Sequence, residues 1–202
     1  MDVRPRPISN GMRIVTFDIE TANWMSDTGS GDPAELTIAL VGIHDSESDV
    51  YTSYVKSELP KLWPVLERTD ILVGYNSEHF DIPLLNKYYP GNLTKIKSVD
   101  LMKEVYAVLG RRLKLDSLAE ATLGEKKIAS GPQSLQWWRA GEVEKVREYC
   151  LKDVEITKRL FDTALAKGAL KYKEMGHDRE VKLDTKAWLS PAGAAMTFTL
   201  GL

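Results

Sequence analysis

The sequence contains a single cysteine, Cys150, and no apolar stretch long enough to form a membrane-spanning helix. One thiol excludes an intramolecular disulfide framework. The first residues, MDVRPRPISNG, lack the apolar segment of a secretory signal. The formal net charge is -2, so the chain also lacks the excess positive charge of a protein that coats nucleic acid nonspecifically. We therefore expect a soluble protein in a reducing cytoplasm, without membrane association.

Hydrophobic residues make up 43% of the 202 residues, which is ordinary for a globular protein with a well-formed core. Acidic residues outnumber basic ones in the first fifty positions, and the balance reverses after residue 100. This asymmetry is compatible with an acidic metal site beside basic surfaces, although ordinary solvated faces explain charge differences of this size as well. We find no internal repeat or clear linker, and we expect one domain over residues 1–166 and a C-terminal extension over 167–202.

The first part of the chain predicts strands. A β-branched and aromatic run, RIVTFDI, predicts a strand over 13–19. The segments ELTIALVGIHD and DVYTSYV, separated by a polar turn at 45–49, predict a hairpin, so the first three strands should be antiparallel neighbours. Helical spacing of leucine and tryptophan predicts a helix over 57–68 with Ser57 at its N-cap, followed by a short strand over 71–75.

The remainder predicts mainly helices. They are expected over 80–88, from Asp100, from Asp116 and over 142–166. Near the C-terminus, ALKYKE and REVKLDT flank a turn at 175–178 and predict a small hairpin. This order of elements predicts an α/β domain built around a mixed β-sheet flanked by helices, with a small C-terminal β-hairpin.

Several acidic residues are candidates for chemistry. Asp18 and Glu20 lie two apart in a predicted strand, so both side chains leave the same face. Like charges this close are costly unless a cation lies between them, and hard oxygen ligands suit Mg²⁺ or Mn²⁺. Two unrelated acids on a solvent-facing strand explain the pair alone equally well. Asp81 by itself is better explained as a helix cap, and the four-residue spacing of Tyr149 and Asp153 is usually incidental.

Taken in order, however, these residues resemble the three motifs of the DEDD exonuclease superfamily, which has the ribonuclease H-like fold. The first motif is matched by Asp18 and Glu20, the second by Asp81, and the third by Tyr149 and Asp153. The Tyr-x-x-x-Asp form is typical of the tyrosine branch, DEDDy. The segments FDIE, NSEHFD and YCLKD are most similar to the proofreading exonuclease domains of family B DNA polymerases and their stand-alone relatives.

The resemblance implies hydrolysis of phosphodiester bonds at 3′ ends of single-stranded DNA by two metal ions, Mg²⁺ or Mn²⁺, with release of nucleoside monophosphates. It implies that Asp18 bridges the two ions, that Glu20 and Asp153 complete the site of the nucleophilic water, and that Asp81 supports the second ion through water. Tyr149 would orient that water, because a phenol with an ordinary pKa of about 10 is a poor base. A DNA polymerase or another replication or repair protein is the implied protein partner.

Four further residues are candidates for contacts with the nucleic acid. Thr21 could meet the terminal 3′-OH, although a threonine that caps its own loop explains it equally well. Asn76 could bind the strand by hydrogen bonds, and Phe80 could stack on a base, but a turn residue and core packing are the stronger explanations. Lys152, beside the third motif, is a candidate phosphate contact.

Two alternatives to this function stay open. The same site could act on RNA, because no residue identifiable from the sequence contacts the 2′-OH. The carboxylates could also be vestigial in a catalytically weak module that binds nucleic acid or docks a partner. Of the adjacent Trp137 and Trp138, we expect one in the core and one on the surface as a platform. His44 and His79 lack companions at metal-ligand spacing.

Overall fold

The computed structural model describes residues 11–125 and 130–190. Five strands form one mixed sheet: β1 (Ile14–Thr21), β2 (Ile38–Asp45), β3 (Val50–Val55), β4 (Ile71–Gly74) and β5 (Lys97–Asp100). Their order across the sheet is β3-β2-β1-β4-β5. Strand β1 is antiparallel to β2 and parallel to β4, β2 is antiparallel to β3, and β4 is parallel to β5. The predicted antiparallel arrangement of the first three strands is confirmed.

The helices are α1 (Trp63–Leu66), α2 (Asp81–Asn86), α3 (Leu101–Leu109), α4 (Leu115–Leu123), α5 (Gly131–Arg139) and α6 (Val143–Lys167). Short 3-10 turns occur at Met25–Asp27, Pro33–Glu35, Lys56–Lys61 and Leu93–Lys95. None of the helices in the described segments has the length and hydropathy needed to cross a membrane. The predicted α/β architecture, a mixed sheet flanked by helices, is confirmed.

The two faces of the sheet bury separate apolar clusters because strand side chains alternate in direction. From β1, Val15, Phe17 and Ile19 join the cluster that contains leucines of α1 and α2. Ile14 points the other way and joins the cluster built with α3, α4 and α6. The even-numbered positions of β1 therefore face α6, the longest helix.

The helix predicted over 57–68 is wrong in its extent. The chain forms a 3-10 segment at Lys56–Lys61 and then the single turn α1, and Val55 rather than Ser57 occupies the first N-cap. Pro60 lies inside the 3-10 segment and Pro64 in the first turn of α1. In a continuous helix from Ser57, Pro64 would lie in the interior, where it lacks the required backbone N–H and its ring clashes with the carbonyl four residues earlier.

The C-terminal hairpin is confirmed as β6 (Ala169–Glu174) paired with β7 (His177–Lys182). Its turn residues Met175 and Gly176 have φ values of 48° and 80°, as a tight hairpin turn requires. Leu170, Tyr172 and Val181 extend the cluster that contains residues of α6. The division into residues 1–166 and 167–202 stays a prediction, and positions 191–202 lie outside the described residues.

Candidate functional site

Strand β1 directs Asp18 toward helix α6. The single thiol hydrogen of Cys150 on α6 is shared between the backbone oxygen and Oδ2 of Asp18, which lie 3.4 and 3.5 Å from the sulfur. Gly42 on β2 pairs with Asp18 in the sheet, and a Cβ at this glycine would lie 2.8 Å from the Cys150 sulfur. The absence of a side chain at Gly42 lets α6 pack this close to the sheet. Asp18 is thereby held against the helix that carries the third motif.

Asp81 reaches the same edge of the sheet by a different route. Strands β1 and β4 are parallel, so their C-terminal ends meet at one edge, and the loop after β4 leads to Asp81 at the start of α2. Asp81 is only 4% exposed. Phe80, not Asp81, occupies the N-cap position of α2, so helix capping does not explain this buried carboxylate.

Helix α6 supplies Tyr149 and Asp153 from successive turns of one face. Tyr149 is 6% exposed, and its ring packs edge-on against that of Trp137, with 6.5 Å between ring centroids. The pKa of the Tyr149 phenol is raised by burial, then by the carboxylates of Asp153, Glu20 and Asp18 and by its hydrogen bond with Asp153. The phenol is therefore protonated at neutral pH.

A cavity of about 430 Å³ lies between these elements. It is lined by every predicted catalytic residue and by three of the predicted nucleic-acid contacts: Asp18, Glu20, Asp81, Tyr149, Asp153, Thr21, Asn76 and Phe80. Lys152 is not among the lining residues. Its ammonium group pairs instead with Glu155 at 3.0 Å and with Glu125 at 3.4 Å.

The carboxylates of the cavity are electrostatically unfavourable when ionised. Burial and the charge of Asp153 raise the pKa of Asp18 to about 7. Burial and Asp18 raise the pKa of Glu20, and burial, Asp18 and Asp100 raise that of Asp81. Each cause disfavours the anion and would be offset by a cation at the site.

The donor set fits a hard divalent cation. Oxygen atoms of Asp18 and Glu20 and the sulfur of Cys150 lie within 4.8 Å of one another. Burial raises the pKa of the Cys150 thiol well above its usual value, so the sulfur stays protonated and the carboxylate oxygens are the available ligands. Oxygen donors of this kind are the ligands that Mg²⁺ prefers. The magnesium or manganese ions expected from the sequence are therefore compatible with the site.

The smaller predicted contacts differ in their surroundings. The Thr21 hydroxyl donates to the backbone oxygen of Asn23 at 3.0 Å, which matches the loop-capping explanation. Asn76 has a left-handed backbone, φ 63°, and its buried Oδ1 has no hydrogen-bond partner within the described part of the chain. Phe80 is partly buried against the cluster under α2 while it also lines the cavity.

Much of the cavity wall was not predicted. It includes the loop after β1, Tyr75 after β4, and the first turns of α5: Asn23, Trp24, Met25, Leu36, Tyr75, Gly131, Pro132 and Leu135. An ion pair of 3.0 Å between Asp27 and Arg139 connects the loop with α5. Trp24, an aromatic residue in a polar loop, was the one available signal in the sequence.

The expected division between Trp137 and Trp138 is wrong. Both side chains are partly buried, and both pack against the small cluster of Leu40, Val146 and Cys150. Helix α5 rests on α6 through this pair, so neither ring is a free surface platform. Trp137 instead supports Tyr149.

The chain belongs to the RNase H superfamily, whose family model matches residues 15–165. In sequence it is 24% identical over 200 residues to DNA polymerase 2 of Aeropyrum pernix, covering 79% of this chain and 24% of the polymerase. In structure it is similar to the family B DNA polymerase of Pyrobaculum calidifontis, with a TM-score of 0.60 and 21% identity, covering 82% of this chain and 25% of that one. The chain thus spans about a quarter of the length of these relatives.

The family model and the structural similarity confirm the expected ribonuclease H-like fold. The expected resemblance to DNA polymerases is matched by similarity in sequence to one such enzyme and in structure to another. Assignment to the tyrosine branch stays a prediction that rests on Tyr149 and Asp153.

Proposed function

We propose that this chain is a 3′-to-5′ exonuclease that hydrolyses single-stranded DNA and releases nucleoside monophosphates. The observation that carries the proposal is the convergence of five predicted residues from three separate segments in one cavity: Asp18, Glu20, Asp81, Tyr149 and Asp153. Membership of the RNase H superfamily and similarity to two archaeal DNA polymerases support a phosphodiester in DNA as the substrate. On the same similarity, we propose association with a polymerase or another replication or repair protein.

We infer that Asp18, Glu20, Asp81 and Asp153 hold two divalent metal ions, Mg²⁺ or Mn²⁺. The raised pKa values of Asp18, Glu20 and Asp81 support this inference, because a cation would offset both their burial and their mutual repulsion. When bound, such ions would supply an activated water and neutralise charge on the phosphate.

Tyr149 acts as a hydrogen-bonding group in this proposal and not as a base. Its raised pKa keeps the phenol protonated, so its oxygen can hold and orient a water without removing a proton from it. The ring is fixed by Trp137 on one side and by the hydrogen bond with Asp153. A rigid phenol loses little freedom when a water binds, which favours orientation.

The cavity walls suit the terminal nucleotide. Trp24, Met25, Phe80 and Leu135 offer apolar and aromatic surface, on which any base can stack. Asn76 lines the same cavity and adds a polar amide to this wall. A volume of about 430 Å³ is within the range of small-molecule sites. Stacking without base-specific contacts favours removal of all four nucleotides at similar rates.

The test uses matched 5′-labelled DNA and RNA oligonucleotides in Mg²⁺ and in Mn²⁺. We expect the wild type to shorten single-stranded DNA in single-nucleotide steps and Asp18→Ala to leave it intact. A blocked 3′ end should stop the reaction, because the proposed enzyme starts at that end. Cleavage of a blocked oligonucleotide at internal bonds would show that the chain is an endonuclease instead. Faster cleavage of RNA would change the assigned substrate. If wild type and Asp18→Ala both bind the oligonucleotide and neither degrades it, the chain is a binding module.

A further inference from the structure

Asp100 lies outside the cavity lining but makes an unusual set of hydrogen bonds. It ends β5, occupies the N-cap of α3, and is only 3% exposed. As a helix cap it accepts backbone N–H bonds from Met102 at 3.0 Å and Lys103 at 3.3 Å. Those two bonds account for its predicted role at the start of a helix.

The same carboxylate accepts two further backbone N–H bonds from the loop that follows β4. Its Oδ1 accepts from Asn76 at 2.8 Å, and its Oδ2 accepts from Glu78 at 3.0 Å. A helix cap does not require these bonds, because their donors belong to a segment more than twenty residues away in sequence. Asp100 thus connects the N-terminus of α3 to the loop of the second motif.

This loop determines where two cavity residues lie. Asn76 adopts a left-handed backbone, a conformation that asparagine reaches more readily than most residues with a side chain. Within the loop, the Asn76 carbonyl accepts from the Phe80 N–H at 3.0 Å and the Ser77 carbonyl accepts from the Ile82 N–H at 2.8 Å. The turn that begins at Asn76 therefore continues directly into the start of α2, where Asp81 lies.

The negative charge of Asp100 does not neutralise the carboxylates of the cavity but adds to their repulsion. After burial and Asp18, it is a further cause of the raised pKa of Asp81. A neutral cap such as serine or asparagine would hold α3 without this repulsion. A carboxylate has two acceptor oxygens. Together the two oxygens of Asp100 hold backbone N–H groups of the loop after β4 and of the first turn of α3.

We infer that Asp100 is a positioning residue: by binding the N–H groups of Asn76 and Glu78, it fixes the loop that places Asn76 and Asp81 in the cavity. The inference rests on the proposed function for its catalytic consequence. The ion pair between Lys103 and Glu78 adds a second, solvent-exposed connection between α3 and the loop.

The test is Asp100→Asn with Asp45→Asn as the matched control. Asp45 is also buried, 7% exposed, and its carboxylate also accepts four hydrogen bonds, from the Arg13 guanidinium, the Glu47 N–H and the Ser48 hydroxyl. An amide presents one oxygen and one NH₂ group, so in Asp100→Asn at least one backbone N–H must face a donor. Asp45→Asn introduces the same conflict far from the loop.

Hydrogen exchange of the metal-free protein is the primary measurement. We expect amides of residues 75–82 to exchange at least about tenfold faster in Asp100→Asn and to be unchanged in Asp45→Asn. Cleavage of single-stranded DNA should show a kcat about tenfold lower in Asp100→Asn, because a small misplacement of Asp81 is costly. KM should change less than about threefold, and Asp45→Asn should keep both constants.

Asp100→Ser separates the two roles of the residue and covers the case in which Asp100→Asn does not fold. Serine can still cap α3, but its single short hydroxyl cannot also bind the loop. We expect α3 to stay protected from exchange while residues 75–82 lose protection. Unchanged loop exchange in Asp100→Ser, or equal kcat for Asp100→Asn and Asp45→Asn, would overturn the inference. A wild type that does not cleave DNA would refute the proposed function, and loop exchange would still decide whether Asp100 positions the loop.

Discussion

Strands β1 and β2 carry carboxylates toward both ends of their antiparallel pair. At the end that we call the paired end, Asp45 binds the Arg13 guanidinium through hydrogen bonds of 2.9 and 2.8 Å. At the opposite, acidic end lie Asp18 and Glu20, which form no ion pair with any basic side chain among residues 11–125 and 130–190. Within the described residues, the acid at one end thus has a cationic partner, and the acids at the other end have none.

The pKa values follow this difference. Burial alone would raise the pKa of Asp45, but the Arg13 guanidinium, the Glu47 N–H and the Ser48 hydroxyl bring it below its usual value. Burial acts in the same direction on Asp18, where Asp153 adds to it and the pKa reaches about 7. An acid whose pKa is lowered by internal partners contributes stability when it is ionised, whereas an acid with a raised pKa and no cationic partner is a candidate for binding a cation from solution.

Removing one charge at each end should have very different consequences, and the largest expected effect is at the acidic end. Glu20→Gln should lower kcat for DNA cleavage more than about 100-fold, because loss of a residue that merely supports a metal ligand already costs about 10- to 100-fold. Glu47→Gln is the matched change at the paired end, where Glu47 pairs with Arg13 at 2.9 Å and Arg68 at 2.6 Å. Its kcat should stay within about twofold. Similar losses in both variants would remove the functional distinction between the two ends.

The pH dependence of stability should also differ between the ends. Asp18 has an ordinary pKa of 3.8 and a folded pKa of about 7, so between these values the folded protein keeps a proton that the unfolded chain releases. The metal-free protein should therefore lose about 1 kcal/mol per pH unit between pH 5 and 6.5. The raised pKa values of Glu20 and Asp81 act in the same direction. Urea denaturation at several pH values in EDTA measures this loss.

Two controls bear on the origin of that loss. Asp18→Asn should reduce the pH dependence, leaving the part that comes from Glu20 and Asp81, and saturating Mn²⁺ should remove it if the cation binds the ionised carboxylates. Asp45→Asn should not flatten it, since the lowered pKa of Asp45 contributes stability above pH 4 that is lost only as the pH falls further. A metal-free stability that rises from pH 5 to 6.5 would contradict the assigned electrostatics.

Much of this fold was predictable where local pattern and tertiary structure agree. The apolar strand β2 is buried at every position, and α6 carries a long helical stripe. Strand β5 was missed because it has only four residues and begins with Lys97 and Ser98. Helix α5 was not predicted as a separate element, although Pro132 in its first turn is typical of a helix start, because its few large apolar residues show little periodicity. Such short elements are stabilised by neighbours and not by their own sequence.

The acids that line the candidate cavity were predicted to lie together, but the walls of the cavity were not. Asp18, Glu20 and Asp81 could be found because their spacing and order resemble known motifs, although chemistry alone left Asp81 as a cap. Trp24 and Pro132 line the same cavity but follow no periodic pattern, since loops are positioned by contacts far away in sequence. The second role of Asp100 was hidden for the same reason.

A smaller effect is expected from Tyr149→Phe, which leaves the charges of the acidic end unchanged. Removing one hydrogen bond to an oriented water should lower kcat about tenfold. The Mn²⁺ concentration for half-maximal activity should stay within about twofold, because the ring still packs against Trp137. Trp137→Phe is a control for altered packing. Unchanged turnover in Tyr149→Phe would exclude the phenol from the reaction.

The smallest effect is expected from Lys152→Gln. Like Asp45 at the paired end, Lys152 already has partners of opposite charge within the protein. Lys152 was a candidate phosphate contact, but Glu125 and Glu155 pair with its ammonium group and it lies outside the cavity lining. Partly exposed pairs of this kind contribute modest energy, and a charge already neutralised attracts a phosphate weakly. KM for single-stranded DNA should rise less than about threefold, with kcat unchanged, in steady-state cleavage at low salt. A KM increase of about tenfold or more, reduced by added salt, would show that Lys152 exchanges its glutamate partners for the phosphate backbone when DNA binds.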